Sequence, residues 1–348
     1  MTAFAYYRLP YLHHAHYVAQ REGEPEVLSS VAELNGKEGF VIAPFSPSSD
    51  CPVLLIHPDE SKLLPISDAK AISTSDSTLG EDASDRDAYA GAFECFHQEL
   101  EKGTFRKIVL ARKATVRTAD KDFENLFMKA CRMYPRLFVS LVYTPQSGMW
   151  LMATPEILLK GEQGNMSTMS LAGTQKAEPS RTVADYPVEG VEWSHKNQEE
   201  QQYVTDYIED CIKAFADDYQ LKGPYTTMAA NLYHLRTDIS FRLRNEGRLG
   251  DVIDALYPTP AVCGIPKDEA RRFILQHEHQ PRKYYSGFVG PISPQGKTHL
   301  FVSLRCMNIL PDGACELYAG GGLLKESEME KEWKETEAKM QTIRQVLL

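Results

Sequence analysis

Residues Tyr318 to Lys339 read YAGGGLLKESEMEKEWKETEAK, and the rest of the chain is read outward from them. Three glycines, Gly320, Gly321 and Gly322, follow a short apolar run and precede a helix dense in carboxylates. Glycine lets another group come close to the backbone, so this stretch reads as a glycine loop of free amides. In the helix, Glu332, Glu335 and Lys339 are spaced by three and four and form one ladder. At 100° per residue the ladder lies beside the apolar stripe of Met329, Trp333, Met340, Ile343 and Leu347. Spacing leaves two readings open. One is a hard-cation site beside an anionic ligand; the other is a solvated helix with charge pairs behind a turn.

The chain has 348 residues, 43% hydrophobic and 25% charged, an ordinary globular balance with length for a large core. The formal net charge is −10 and no Lys/Arg cluster stands out, which argues against a nucleic-acid partner. The seven cysteines are scattered with no CxxC pair, as expected of reduced thiols in a cytoplasmic protein. The N-terminus MTAFAYYRLPYLHH does not read as a signal peptide, and no apolar run approaches a membrane span. His13, His14 and His16 have no acidic or cysteine partner nearby in sequence, so a ligand role is not assigned to them.

In order, residues 1–80 read as a β-rich part with a linker, within the same domain as 81–348. The short apolar runs Phe40–Ala43 and Val53–Ile56 read as strands of a sheet margin. Residues 66–86 are Ser-rich and turn-prone, a surface loop or linker. A helix is predicted from about Asp85 to Lys102, with Gly103 as its cap. RKIVLARKATV, Arg106 to Val116, is apolar on both faces and reads as an interior strand. Lys107 in it either snorkels to water at the strand start or points into a cleft. A helix from Asp122 to Tyr134 and a hairpin turning at Gln146–Gly148 follow. Pro155–Glu156 breaks an apolar strand. SLAGTQK, Ser170 to Lys176, reads as a break after a strand.

Ser194 suits the N-cap of the helix HKNQEEQQYVTDYIEDCIKAF. Its stripe, Val204, Ile208, Cys211 and Phe215, continues backward to Glu200 and Lys196, whereas Glu199 points about 100° away. A carboxylate in line with a buried stripe needs a partner. Later, HLFVSLRCMNIL reads as one strand with Arg305 inside it, and a buried arginine requires an anion.

These stretches carry a resemblance. KIVLAR, TPEIL, LAGT, KNQEEQQYV, YHLRT, YPTPAVCG, RKYYSGFVG, VSLRC, YAGGG and EWKETEAK stand in the order found in the chorismate-utilising enzymes, covering about residue 85 to the C-terminus. The family includes isochorismate, salicylate, anthranilate and aminodeoxychorismate synthases. The resemblance implies an α/β (α+β) sandwich of two antiparallel sheets with outer helices, the active site in the cleft between them. It implies chorismate as substrate and Mg²⁺ as cofactor. Apart from the resemblance, no nucleic-acid or membrane partner is expected, and a monomer is expected with a dimer left open.

The resemblance also implies roles. Members that add ammonia carry glutamine where this chain has Lys107, so Lys107 points to the water-adding members, with Lys107 as the base. Such a base needs its pKa lowered, and an interior strand would do so by desolvation. Glu156 would be the general acid, its pKa raised by burial. Glu200 and Glu335 match metal carboxylates, with Glu332 a direct or water-mediated ligand. Arg305, Tyr285 and Lys339 would grip substrate carboxylates, and amides at Gly173, Gly320 and Gly321 would add donors, with Thr174 alongside Gly173 in LAGT. His234 would lie near the reacting ring. Ala261 and Val262 sit where small residues separate isochorismate from salicylate formation. Glu278 and Arg282 keep the family spacing, while His279 and Gln280 depart from it. The implied activity is isochorismate synthase; the alternatives are salicylate synthase, which also eliminates pyruvate, or an inactive chorismate-binding subunit.

Overall fold

The computed structural model describes residues 3–66, 83–118, 122–177, 187–229 and 232–348. Residues 67–82 of the expected Ser-rich linker lie outside these residues, and 83–86 are helical. In chain order the first strands are β1 (Ala3–Arg8), β2 (His14–Gln20), β3 (Glu26–Leu28), β4 (Gly39–Ala43), β5 (Val53–Ile56), β6 (Glu60–Pro65), β7 (Lys107–Arg117), β8 (Phe138–Thr144) and β9 (Gly148–Thr154). The others are β10 (Ile157–Glu162), β11 (Asn165–Lys176), β12 (Ala216–Ala229), β13 (Leu232–Leu243), β14 (Gly264–Ile265), β15 (Phe288–Ile292), β16 (Lys297–Val302), β17 (Cys306–Ile309) and β18 (Ala314–Leu323). The helices are α1 (Ala83–Glu101), α2 (Phe123–Met133), α3 (His195–Lys213), α4 (Leu249–Leu256), α5 (Lys267–His277) and α6 (Met329–Arg344).

Two antiparallel nine-stranded sheets result, in the orders β14-β7-β18-β17-β9-β8-β1-β2-β6 and β12-β13-β11-β10-β16-β15-β4-β5-β3. Below they are the first and second sheet. The N-terminal strands extend one margin of each sheet, as the broken apolar runs suggested.

Strand alternation explains the layering. In β8, Phe138 and Val142 enter the core between the sheets, while Val139 and Leu141 enter a second core on the outer face. In β4, Phe40 and Ile42 face inward, and Val41 and Ala43 face outward. Both faces are buried, so these strands carry no polar side. Phe138 of the first sheet stacks on Phe301 of the second, centroids 4.1 Å apart. Helices cover the outer faces: α3 and α4 on the second sheet, α2 and the C-terminal half of α6 on the first.

Two segments pass from one sheet to the other side by side. β9 lies in the first sheet and β10 in the second, joined by Pro155–Glu156; β16 lies in the second and β17 in the first, joined by Ser303–Arg305. HLFVSLRCMNIL is therefore two strands and not one. The joint is tied by Val302 N–H to the Glu156 carbonyl (2.9 Å), Ala153 N–H to the Arg305 carbonyl (3.1 Å) and Thr154 Oγ1 to the Val302 carbonyl (2.7 Å). Arg305 takes a left-handed backbone, φ +48°, to make the turn. The two charged residues that sequence placed inside or beside strands thus sit where strands change sheets, facing the gap.

Three other expectations change. The glycine run is not a loop: Gly320, Gly321 and Gly322 lie inside β18, paired with Ala111, Leu110 and Val109 of β7. SLAGTQK is not a break but a bulge within β11, between Ala172 and Gln175, where Gly173 has φ +69°. The α6 stripe serves two cores. Met329 and Trp333 pack with α1, whereas Met340, Ile343 and Leu347 join the outer core of the first sheet.

Candidate active site

The cleft opens where the sheets part beside the two crossings. Glu156, Gly173, Thr174, Glu200, His234, Ala261, Val262, Tyr285, Arg305, Gly320 and Lys339 line it. Lys107, Gly321, Glu332 and Glu335 do not line it but lie behind its carboxylate wall. These residues come from distant parts of the chain, and β7, β11, β13, β18, α3 and α6 bring them together.

Lys107 opens β7 on the face that carries Val109 toward the cleft. It is fully buried, so it does not snorkel to water. Its Nζ lies 3.0 Å from Glu200 Oε1. Glu200 sits on α3, whose N-cap Ser194 accepts from Asn197 N–H. Burial alone would raise the Glu200 carboxyl, but the ammonium groups of Lys107 and Lys196 outweigh it and hold the carboxyl below its ordinary range.

Glu156 has the opposite balance. It is 2% exposed and its one side-chain hydrogen bond is from Thr259 Oγ1 at 3.3 Å. Burial pushes its carboxyl up to about 7, against the pull of Lys107, Thr259, Lys339 and Arg305. A carboxyl held partly protonated near neutrality is suited to donate a proton.

Arg305 is also buried. Its Nη1 donates to Thr342 Oγ1 (3.2 Å) and its Nη2 contacts His234 Nε2 (3.1 Å). Among the described residues no carboxylate forms an ion pair with it. Burial lowers its pKa to about 10. A buried guanidinium held by neutral partners is prepared for an external anion. His234 Nδ1 lies 2.9 Å from the Gly173 carbonyl, which only a protonated Nδ1 can satisfy. Nε2 is then the bare nitrogen facing Arg305. Burial, then Arg305 and Lys339, push the imidazole pKa down to about 3, consistent with a neutral ring. The Gly173 carbonyl is thus occupied.

The glycines of β18 also have a steric use. A Cβ on Gly322 would overlap Glu200 Oε1 and come within 2.8 Å of Lys107 Cε. One on Gly320 would lie 2.9 Å from the Tyr285 hydroxyl, and one on Gly321 3.1 Å from Glu332 Oε2. The glycines make room for the acidic side chains and the tyrosine. The Gly320 carbonyl accepts from Lys339 Nζ at 2.9 Å.

Each of the three glutamates holds its own lysine: Glu200 with Lys107, Glu335 with Lys339 (2.7 Å), and Glu332 with Lys196. Glu332 is 2% exposed and its Oε2 accepts no hydrogen bond. Burial and the neighbouring Glu335 raise its carboxyl despite Lys196. Among the described residues no three His, Cys, Asp or Glu side chains are gathered as metal ligands. The donor set nevertheless fits a hard cation: three carboxylates beside side-chain-free backbone, one with an orphaned buried oxygen.

Sequence reasoning missed several contributors. Gln201, beside Glu200, accepts from Ala172 N–H (2.9 Å) and donates to Ser170 Oγ (2.8 Å) and Thr237 Oγ1 (3.2 Å), pinning α3 to the second sheet. Its signal was a polar residue next to the buried stripe. Thr259, in the YPTPAVCG segment, was a lone hydroxyl in a rigid apolar stretch. Lys196 stood in the backward extension of the α3 stripe and received no role. Glu278 and Arg282 form a clamp: Arg282 donates to both Glu278 oxygens, the Val262 carbonyl (2.6 Å) and the Val109 carbonyl (2.8 Å). It fixes two cleft walls to each other. His279 and Gln280, where the family pattern fails, line a separate hollow with Tyr89 and Arg112.

Comparison with known proteins agrees with this architecture. A family model described as chorismate binding enzyme matches residues 55–348. The putative isochorismate synthase MenF of Mycobacterium tuberculosis is 32% identical over 254 residues, 69% of this chain and 67% of that protein. The salicylate biosynthesis isochorismate synthase of Pseudomonas aeruginosa is 29% identical over 268 residues, 71% of this chain and 52% of that protein. The matches thus span between about half and two thirds of these relatives' length. A crystal structure of a putative 2,3-dihydroxybenzoate-specific isochorismate synthase from Bacillus anthracis superposes with TM-score 0.81 at 22% identity, covering 99% of this chain and 95% of that one. On this evidence the chain is a member of the chorismate-binding enzyme family.

Proposed function

We propose that the protein is an isochorismate synthase: water adds at C2 of chorismate and the C4 hydroxyl leaves. The observation that carries the reading is a pair of buried groups at one cleft, Glu156 in its lining and Lys107 behind it beside Glu200. Water is a weak nucleophile and needs a base; in this reading Lys107, as the neutral amine, takes the proton released by the adding water. Glu156, pushed up to about 7 by burial, supplies the proton to the departing hydroxyl. Arg305 and Lys339 hold the substrate's carboxylates, and Tyr285, raised by burial and so a neutral donor, lies against the same wall. His234 fixes the Arg305 guanidinium, and Ala261 and Val262 bound the ring. The relatives named isochorismate synthases support the same reaction.

Glu200, Glu332 and Glu335 would hold Mg²⁺. Bound there, it would neutralise substrate carboxylate charge. The experiment is product identification from purified protein with chorismate and MgCl₂. Isochorismate as the main product is expected. Salicylate with pyruvate would replace the reading with salicylate synthase, and absence of turnover would replace it with a binding subunit.

A further inference from the structure

Lys196 is the unassigned charge of the cleft's rear wall. It lies one helical turn before Glu200 on α3, and its ammonium reaches across to α6 to pair with Glu332 Oε1. Glu332 is nearly inaccessible and its second oxygen is unpartnered. The other two lysines of the set are more enclosed: Lys107 is fully buried, and Lys339 also donates to the Gly320 carbonyl. Among the described residues Lys196 has no hydrogen bond besides that to Glu332, and its side chain is 26% exposed, against 0% for Lys107 and 16% for Lys339. It is therefore the most exposed member of the set.

The charge arithmetic gives this position a consequence. Three glutamates and three lysines are formally neutral together, so an entering divalent cation meets no net attraction from them. It must draw carboxylates away from ammonium groups. Glu332 is the carboxylate whose lysine can swing outward with least rearrangement, because a flexible, strongly hydrated ammonium loses least on returning to water.

We propose that Lys196 is an internal counter-ion that competes with the divalent cation for Glu332, keeping the metal-free carboxylate site intact and holding metal affinity down. The inference rests on the reading that Glu200, Glu332 and Glu335 form the metal site. It makes Lys196 a positioning residue: it keeps Glu332 buried and in place without the cation, then leaves.

The test is a titration of the full chain with Mn²⁺, read by electron paramagnetic resonance, with Mg²⁺ affinity from displacement. Removing a like charge within a few ångströms of the bound cation should tighten binding, so Lys196→Met is expected to bind Mn²⁺ about tenfold more tightly. Lys196→Arg, which keeps the charge, should match the native chain. Affinity unchanged or weakened in Lys196→Met overturns the proposal. A second readout needs no variant: amine-reactive labelling of the native chain, located by mass spectrometry. Saturating Mg²⁺ should raise the labelling of Lys196 several-fold; unchanged or lower labelling overturns the proposal even if the variant fails to fold. If the native chain binds neither Mn²⁺ nor Mg²⁺, with chorismate present or absent, the metal-site reading itself fails. If it binds metal but Lys196→Met is no tighter, only the competition fails.

Discussion

Glu156 and Glu200 line the same cleft, and burial has opposite outcomes for them. Glu156 stands at a sheet crossing with one long hydrogen bond, and the desolvation of its charged form wins. Glu200 stands on a helix beside Lys107, with Lys196 one turn away, and cations win. The same side chain thus has its pKa raised at one position and lowered at the other. Lys107 pulls on both carboxylates; the difference is that Glu200 is in direct contact with it and also feels Lys196.

The largest test of this contrast is Glu156→Gln. It keeps the shape and removes the transferable proton, and turnover of chorismate should fall about a thousandfold. Turnover within a few-fold of native would show that the wall carries no acid. A smaller effect should follow from Lys107→Met, measured by denaturant unfolding. Leaving Glu200 buried without its cation should cost about 3 kcal/mol near neutral pH. Glu200 would then behave as Glu156 does, its pKa raised, so its penalty would be full above that pKa and shrink as acid protonates it. A deficit that does not shrink towards pH 5 would show that Glu200 does not depend on Lys107. The mildest test is the pH profile. The proton on Glu156 is present below about 7 and lost above it. The kcat/KM of the native chain should therefore fall by about tenfold per unit on the alkaline side, each step worth about 1.4 kcal/mol. A rate flat to pH 9 would break the assignment of Glu156 as the acid.

Much of this site was legible in the residue order. Glu200 continuing the α3 stripe, Lys107 in an interior strand and Arg305 among apolar neighbours each announced a buried charge, because spacing and alternation fix facing. The expected sandwich with a cleft between its sheets agrees with the structure. The errors share one cause. A glycine run looks the same whether it turns the chain or makes room for a neighbour; here Gly322 meets Glu200, about 120 residues away in sequence. The strand pattern in HLFVSLRCMNIL is continuous in sequence, yet its halves pair with β10 and β9 in different sheets. Periodicity reports a local face but not the partner waiting there. The Gly173 bulge and the division of the α6 stripe were hidden for the same reason.

By itself, then, the sequence determined which elements form, which of their faces are buried and which charged residues would need partners, since these follow from local geometry and the cost of desolvation. Only the tertiary structure decided what those partners are. Pairing Lys107 with Glu200, Lys196 with Glu332 and Lys339 with Glu335, while leaving Glu156 and Arg305 without ion partners of their own, depends on how two sheets and two helices meet. Electrostatic outcome depends on separations of a few ångströms between residues far apart in the chain, and those separations arise only on folding.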